Sequence, residues 1–247
     1  MPNMRNLKII LAYDGAGFMG WQIQPGVRTV QETLESALEK IFGHEVRVHA
    51  SGRTDTGVHA LGQVVHVHTS SPIPKSGLMR ALNSKLPGEI SVLSVEDVDL
   101  NFHARFMAKS KKYVYIIDTS PTFSPFLARY AVHVKEPLDV SVMSLSAAYL
   151  KGEHDFSSFM GAGSSVKTTQ RRILESEVFS HGERVFFYIH GSGFLRHMVR
   201  NIAGTLLLIG NGTLPPEDMA AILEKKDRTC AGPTAPPQGL YLVGVDY

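Results

Sequence analysis

The sequence predicts an α+β fold in which helices cover largely antiparallel sheets. Apolar residues make up 43% of the 247-residue chain and charged residues 19%, a balance that allows a substantial folded core. Both halves of the chain contain alternating segments typical of strands together with amphipathic segments typical of helices. Because strands and helices do not alternate regularly, a parallel β-α-β architecture is not favoured.

The first half has the predicted order β-α-β-β-α-β. Thr29 and Glu32 have the spacing of a helix capping box. Val30, Leu34 and Leu38 follow on one helical face, which indicates an amphipathic helix. The predicted elements of this half are strands at 7–13, 46–50, 63–68 and 90–98 and helices at 30–42 and 74–86.

The second half is predicted to be equally mixed. A turn at 180–182 separates two β-rich segments and indicates a hairpin. We place the boundary near residue 106, which gives an N-terminal half over 1–105 and a C-terminal half over 106–247. The predicted elements of the C-terminal half are strands at 113–117, 128–134, 171–180, 184–190 and 240–245 and helices at 138–150, 193–209 and 216–225.

Composition narrows the setting in which the protein works. Cys230 is the single cysteine, so an internal disulfide is excluded and a reducing cytoplasm is favoured. No apolar run approaches the roughly 18 residues that a membrane span needs, and the first apolar run is too short for a signal peptide. The formal net charge is only +2, so the overall charge alone does not indicate a nucleic-acid-binding protein.

The segment most typical of an active site is the polar loop Ser-Gly-Arg-Thr-Asp-Thr-Gly-Val-His at 51–59. Gly52 and Gly57 allow backbone conformations that other residues avoid and permit close approach of a ligand. Arg53 lies two residues before Asp55 and would favour the ionised carboxylate, which can act as a nucleophile or base. An Asx-turn loop with a local ion pair remains an equally good interpretation of these residues.

A second candidate site is the strand segment Lys111-Lys112-Tyr113-Val-Tyr115. Alternation places Tyr113 and Tyr115 on one face and Lys112 on the other. Aromatic rings beside lysines can stack a nucleobase while the cations meet phosphate. Core aromatic residues on an amphipathic strand are the favoured alternative for this segment alone.

A third candidate site lies in the predicted helix over 193–209. Phe194 and Ile202 share its apolar face, whereas Arg196 and Arg200, four residues apart, project together away from that face. Either arginine can bind phosphate, or one can pair with a carboxylate. These alternatives stay open at the level of the sequence.

Two strand histidines are candidate metal ligands. His66 and His68 fall on one face of the strand over 63–68, but no carboxylate or cysteine completes the spacing of a known zinc motif. We therefore interpret them as exposed strand histidines.

Taken together, the motifs resemble those of the TruA-type tRNA pseudouridine synthases across essentially the whole chain. Six segments occur in the order that this family shows, which makes coincidence a poor explanation. The matching segments are Tyr13-Asp-Gly with Phe18-x-Gly-Trp21-Gln, the loop at 51–59, residues 83–87 with Phe102-His-Ala-Arg105, Tyr113-Val-Tyr115, Phe194-Leu-x-x-Met-Val-Arg200, and Thr234-Ala-Pro to Leu240-Tyr-Leu.

The resemblance implies a more detailed fold. It implies two similar halves, each ferredoxin-like or RRM-like, whose mainly antiparallel sheets join around a central RNA-binding cleft, with helices on the outer faces. It also implies a homodimer that holds transfer RNA across both subunits. No nucleotide or metal cofactor is expected.

The resemblance also implies roles for individual residues. Asp55 corresponds to the catalytic aspartate of the family, and Arg200 to the arginine that pairs with it. Tyr113 corresponds to the tyrosine that lies against the target base, and Arg53 to the arginine that helps to seat the flipped nucleotide. Three further cations are candidate substrate-binding residues: Lys111, Lys112 and Arg196.

The expected activity is isomerisation of uridine to pseudouridine in the anticodon stem-loop of transfer RNA, at positions 38–40 of the tRNA. Two alternatives are retained. An RNA-binding module without catalysis would use the strand aromatics alone, and it would leave the loop at 51–59 unexplained. A small-molecule transferase or lyase would use Asp55 as a general base, and it would not bind transfer RNA.

Overall fold

The structure is a computed structural model that describes residues 4–163 and 166–247. The regular elements are numbered in chain order and their bounds are as follows: β1 Arg5–Tyr13, α1 Val30–Phe42, β2 His49–Ala50, β3 His59–Thr69, α2 Lys75–Lys85, β4 Ile90–Val98, β5 Ser110–Asp118, β6 Val132–His133, α3 Val140–Ala148, β7 Gly152–Asp155, β8 Gln170–His181, β9 Arg184–Gly191, α4 Met198–Gly210, α5 Asp218–Lys225 and β10 Leu240–Asp246.

The chain divides into two compact units. Unit 1 comprises Met1–Lys109 and Leu242–Tyr247, and unit 2 comprises Ser110–Tyr241. The end of the chain thus returns to unit 1, whereas the boundary expected from the sequence assigns those residues to the second half. Each unit combines helices with mainly antiparallel strands, as the sequence predicts.

Unit 1 is built on a sheet with the strand order β4-β1-β3-β10, and β2 adds a short pairing to β3. β1 pairs antiparallel with both β3 and β4. Leu7, Ile9 and Leu11 alternate along β1 and are fully buried. α1 packs against α2, and α2 packs against β4. This core holds the two ends of the loop at 51–59.

Unit 2 is built on a sheet with the order β5-β9-β8-β7, and β6 pairs with β5 in parallel. The neighbouring pairs β5–β9, β9–β8 and β8–β7 are antiparallel. α3 packs against β8 and against α4. The core of this unit includes Tyr115, Phe187 and Ile202, all fully buried.

Two local predictions are confirmed in detail. The Thr29 hydroxyl accepts a hydrogen bond from the Glu32 amide at the start of α1, which satisfies one of the free amides of a helix N-terminus. The hairpin of β8 and β9 also forms, and Gly182 in its turn has φ +58°, a value that favours glycine.

Two predicted strands are wrong in extent. The strand expected at 46–50 is reduced to β2, although Val46 and Val48 are buried as their alternation indicates. The strand expected at 128–134 is reduced to β6. At 46–50 the alternation indicated which side chains face the core, and it did not report whether a neighbouring strand pairs with the backbone. β7 was not predicted.

No helix in the described ranges, 4–163 and 166–247, has the length and apolar character needed to cross a membrane.

Candidate active site

The loop at 51–59 is held at its start by buried hydrogen bonds to β3. The Ser51 hydroxyl donates to Oε1 of Gln63 at 2.7 Å. Nε2 of the same glutamine donates to the Gly52 carbonyl at 2.9 Å. Ser51 and Gln63 are fully buried, so the hydrogen bond between their side chains is protected from competition with water. One glutamine therefore fixes the first two residues of the loop.

The residue before Asp55 is anchored from β1. The phenolic oxygen of Tyr13 lies 2.8 Å from Oγ1 of Thr54, and the Trp21 amide donates to the Thr54 carbonyl at 3.0 Å. Burial raises the pKa of Tyr13 to about 12, so its phenol is protonated at neutral pH. Both the side chain and the backbone of Thr54 are thus constrained.

A glycine allows a second segment to lie directly against this loop. Gly20 has φ +85°, and a Cβ placed there would lie 2.9 Å from the Thr54 carbonyl oxygen. A Cβ at Gly15 would collide with the Val58 carbonyl. Residues 15–20 therefore approach the loop more closely than any larger residues would permit. This close contact explains why the N-terminal signature contains glycine at positions 15 and 20.

Asp55 is half-exposed, on a loop in which Ser51 and Thr54 are anchored by buried hydrogen bonds. Its carbonyl accepts from the Val58 amide at 3.1 Å, which closes a turn, and Gly57 within that turn has φ +78°. Arg53 lies on the same loop and is exposed. The structure therefore presents a carboxylate and a guanidinium on one rigid loop of unit 1.

The Tyr113 ring lies on the side of β5 that faces the core of unit 2. Tyr113 is 8% exposed, and its ring meets that of Phe194 edge-on, with centroids 5.1 Å apart at 81°. Tyr115 lies on the same side, as predicted, and its hydroxyl donates to the Pro236 carbonyl at 2.8 Å. Burial raises the pKa of Tyr115, and the positive charge of Arg200 opposes that shift.

Lys111 and Lys112 lie beside Tyr113 at the start of β5. Lys111 is opposite Gly191 and Lys112 is opposite His190 in the antiparallel pairing with β9. Both lysines are half-buried. They share a strand with Tyr113.

The prediction that Arg196 and Arg200 project together from one helix is wrong. α4 begins at Met198, because His197 has φ +58° and interrupts the helical path. Arg196 precedes the helix and donates through Nη1 to the Ala162 carbonyl at 2.9 Å. Only Arg200 belongs to α4, in its first turn. The two arginines therefore have different backbone settings.

Arg200 is oriented by the segment at 231–235. Its Nε donates to the Ala235 carbonyl at 2.7 Å, and the Ala235 amide donates to the Arg200 carbonyl at 3.1 Å. The segment is tied to α4 a second time, because the Thr234 hydroxyl donates to Oδ1 of Asn201 at 2.6 Å. A Cβ at Gly204 would collide with the Pro233 carbonyl, so the contact depends on that glycine.

The expectation that both strand histidines are exposed is wrong for His66. It is 2% exposed, whereas His68 is exposed. Nδ1 of His66 accepts a hydrogen bond from the Ala104 amide at 3.1 Å. Within the described part of the chain, no three histidine, cysteine or acidic side chains are arranged to hold a metal ion.

Sequence reasoning missed the residues that support the candidate site. Gln63 was treated only as a strand residue, and Phe194 only as part of an apolar helical face. A polar amide inside the otherwise apolar run of β3 was the available signal for Gln63, because a buried amide needs partners. No comparable local signal marks the Ala235 carbonyl that holds Arg200.

Comparison with known proteins assigns the fold and the motifs to a class of RNA-modifying isomerases. The chain belongs to the family of tRNA pseudouridine synthases, whose family model matches residues 9–107 and 146–247. The matched segments include Arg53, Asp55, Arg196 and Arg200, whereas Tyr113 lies in the interval between them.

Several relatives match along nearly their whole length. The tRNA pseudouridine synthase A of Caldicellulosiruptor bescii is 46% identical over 244 residues, which cover 99% of this chain and 100% of that protein. The tRNA pseudouridine synthase A of Methylobacillus flagellatus is 45% identical, with 98% and 92% covered. That of Halalkalibacterium halodurans is 48% identical, with 96% and 90% covered.

Solved structures give a much weaker likeness. An H/ACA ribonucleoprotein bound to a substrate RNA containing 2′-deoxyuridine has a TM-score of 0.34 and 13% identity, over 80% of this chain and 44% of that chain.

Proposed function

We propose that this protein isomerises uridine to pseudouridine in transfer RNA, with the carboxylate of Asp55 as the nucleophile. The observation that carries the proposal is the construction of the loop at 51–59. Ser51 and Thr54 in this loop are buried and hydrogen-bonded, whereas Asp55 itself is half-exposed. High identity to proteins named tRNA pseudouridine synthase A over almost the whole chain supports this assignment.

The reaction needs little besides a positioned carboxylate. The N1–C1′ glycosidic bond breaks, the uracil turns, a C5–C1′ bond forms, the C5 proton leaves to solvent, and N1 takes up a proton. Substrate and product are isomers, so no electron or group is exchanged with another molecule. A carboxylate that adds covalently to the uridine divides the rearrangement into two steps and is released at the end.

The remaining candidate residues act on binding and orientation in this proposal. The uridine must leave its stack to be reached, and Tyr113 provides an aromatic ring for it. Arg53 helps to seat the flipped nucleotide. Arg200 acts together with Asp55, since a nearby guanidinium favours the ionised carboxylate. The cations that meet backbone phosphate are Lys111, Lys112 and Arg196.

The proposal extends to features implied by the family resemblance. These are two ferredoxin-like halves that share an RNA-binding cleft, a homodimer, a cytoplasmic location and a target in the anticodon stem-loop. Sedimentation tests the dimer as a species of twice 27.1 kDa. Replacing single anticodon-arm uridines of the transcript by cytidine tests the target, because product falls only when a modified uridine is replaced.

The central experiment uses an unmodified tRNA transcript carrying tritium at C5 of its uracils, incubated with the protein and no added cofactor. Tritium release accompanies formation of the C5–C1′ bond. We expect release with the wild type and none above background with Asp55→Asn. The matched control is Asp97→Asn, which removes the same charge from an exposed residue of unit 1 and should retain activity.

The outcomes separate the alternatives. If folded wild-type protein binds tRNA but releases no tritium from any transcript, an RNA-binding module is the better description. Failure to bind tRNA at low salt favours a small-molecule enzyme. If purified Asp55→Asn retains turnover, Asp55 is not the nucleophile.

A further inference from the structure

Phe106 is an exposed aromatic residue on a hydrogen-bonded turn of unit 1. It is 76% exposed, and one face of its ring packs against His103, with centroids 4.2 Å apart and planes inclined by 31°. The guanidinium carbon of Arg105 lies 5.8 Å from the Phe106 ring centroid. The ring therefore has one supported face, with a cation close by.

The turn that carries Phe106 is fixed by its own hydrogen bonds. Nδ1 of His103 accepts from the amides of Arg105 and Phe106 at 3.1 and 3.3 Å. The Met107 amide donates to the His103 carbonyl at 3.0 Å. The Lys109 amide donates to the Asp246 carbonyl at 2.8 Å and secures the end of the turn. The exposure of Phe106 is thus imposed by the backbone.

Two further histidine rings extend the stack formed by Phe106 and His103. His103 packs against His66 at 4.5 Å and against His49 at 5.6 Å, and His49 stacks on His66 at 5.0 Å and 21°. His49 belongs to β2, which leads directly into the loop that carries Asp55. The stacked rings therefore extend from buried β3 through β2 to the exposed Phe106.

The charge of this segment favours an anionic partner. Residues 100–109 include Arg105 and Lys109 and no aspartate or glutamate. A single exposed apolar side chain is common on protein surfaces and needs no partner. An aromatic ring that is supported on one face and accompanied by a cation is instead the arrangement used to stack a base and neutralise its phosphate.

We propose that Phe106, supported by His103 and accompanied by Arg105, stacks an unpaired nucleobase of the tRNA substrate. This site is additional to the one at Asp55. The inference rests on the proposed function for the identity of the RNA, and its test reads binding rather than turnover. Because the turn is already ordered, little conformational entropy is lost when the base stacks.

The test compares binding of unmodified tRNA transcript by variants made in an Asp55→Asn background, so that turnover does not intervene. Phe106→Ala should weaken binding about tenfold, within the range that base–aromatic stacking contributes. Phe106→Trp should bind at least as well as the parent. The matched control is Phe126→Ala, which removes an 87% exposed ring from unit 2 and should leave binding unchanged.

A spectroscopic readout distinguishes stacking from a structural effect. The natural chain has one tryptophan, Trp21, which is 3% exposed. The fluorescence of Phe106→Trp, measured in a Trp21→Phe background, should be quenched when tRNA is added. Unchanged binding by folded Phe106→Ala, or no quenching at saturating tRNA, overturns the inference.

The oligomeric state provides a separate check on the identity of the partner. Dissociation of an oligomer in Phe106→Ala would mean that a second copy of the chain covers the ring, and this result also overturns the inference. Tritium release by the wild type remains an independent test of the proposed function.

Discussion

The phenolic oxygen of Tyr13 lies 2.8 Å from the hydroxyl oxygen of Thr54, in a buried hydrogen bond one residue away from Asp55. Gln63 also contacts this pair, because its Nε2 is 3.5 Å from the same phenolic oxygen. The glutamine also holds Ser51 and Gly52. A single side chain of β3 therefore links both ends of the segment that leads to the candidate nucleophile.

Gln63→Leu should destabilise unit 1 and impair turnover together. It removes the hydrogen bonds from Gln63 to the Ser51 hydroxyl and the Gly52 carbonyl, and loss of a hydrogen-bond partner by a buried polar group costs about 1 to 3 kcal/mol. We expect a loss of about 2 to 4 kcal/mol in the free energy of unfolding, measured by urea denaturation. The control is Gln24→Leu, since Gln24 is exposed and its side chain donates to the Met19 carbonyl. Equal losses in both variants would contradict a special role for Gln63.

Features encoded in adjacent residues were predictable from the sequence. The capping of α1 by Thr29 and the hairpin of β8 and β9 depend on local spacing, and both are present. The loop at 51–59 was recognisable for the same reason, because its glycines and its Arg-x-Asp pattern lie within nine residues.

Features set by distant contacts were not predictable. His66 is buried because residues near Phe102 and Ala104 cover it, and nothing in the alternation of β3 reports that cover. The start of α4 was misplaced because His197 adopts a left-handed conformation that helical periodicity does not reveal. The support of Arg200 by Ala235 joins residues 35 positions apart.

Tyr113→Phe should retain tRNA binding within about twofold, because stacking depends on the ring and not on the hydroxyl. The phenylalanine variant is the informative one. Tyr113 is buried against Phe194, so an alanine variant would also lose about 3 to 5 kcal/mol of stability through cavity formation. Filter binding in the Asp55→Asn background measures the effect. A loss of tenfold or more in affinity on removing the hydroxyl alone would argue against stacking.

Arg200→Lys should lower the rate of tritium release by at least about tenfold at saturating tRNA, equivalent to about 1.4 kcal/mol in the barrier. A lysine keeps the positive charge but has no guanidinium. It cannot donate to the Ala235 carbonyl from one nitrogen and offer the rest of a planar group to a second partner. Single-turnover kinetics measure the chemical step.

The control for this variant is Arg228→Lys. Arg228 donates to the Ala231 carbonyl and to Oδ1 of Asn201, so it supports the same segment at 231–235. We expect the control to retain most of the rate. Equal losses in the two variants would assign the effect to displacement of the segment and not to the guanidinium of Arg200.

His66 should make the stability of the protein depend on pH. Burial, followed by the positive charges of His103, His49 and His68, lowers its pKa from 6.5 to about 4. The unfolded chain therefore binds a proton at higher pH than the folded chain does. The free energy of unfolding should fall as the pH decreases from about 6.5 to about 4. Below that range both the folded and the unfolded chain bind the proton, so His66 causes no further decrease.

The measurement compares urea denaturation of the wild type and His66→Gln between pH 7 and pH 4.5. Glutamine does not titrate, so the stability difference between the two proteins should change by about 2 kcal/mol over this range, with the wild type losing more. His181→Gln, which replaces an exposed histidine at the end of β8, serves as the control and should follow the wild type. Parallel profiles for the wild type and His66→Gln would mean that protonation of His66 is accommodated in the folded state.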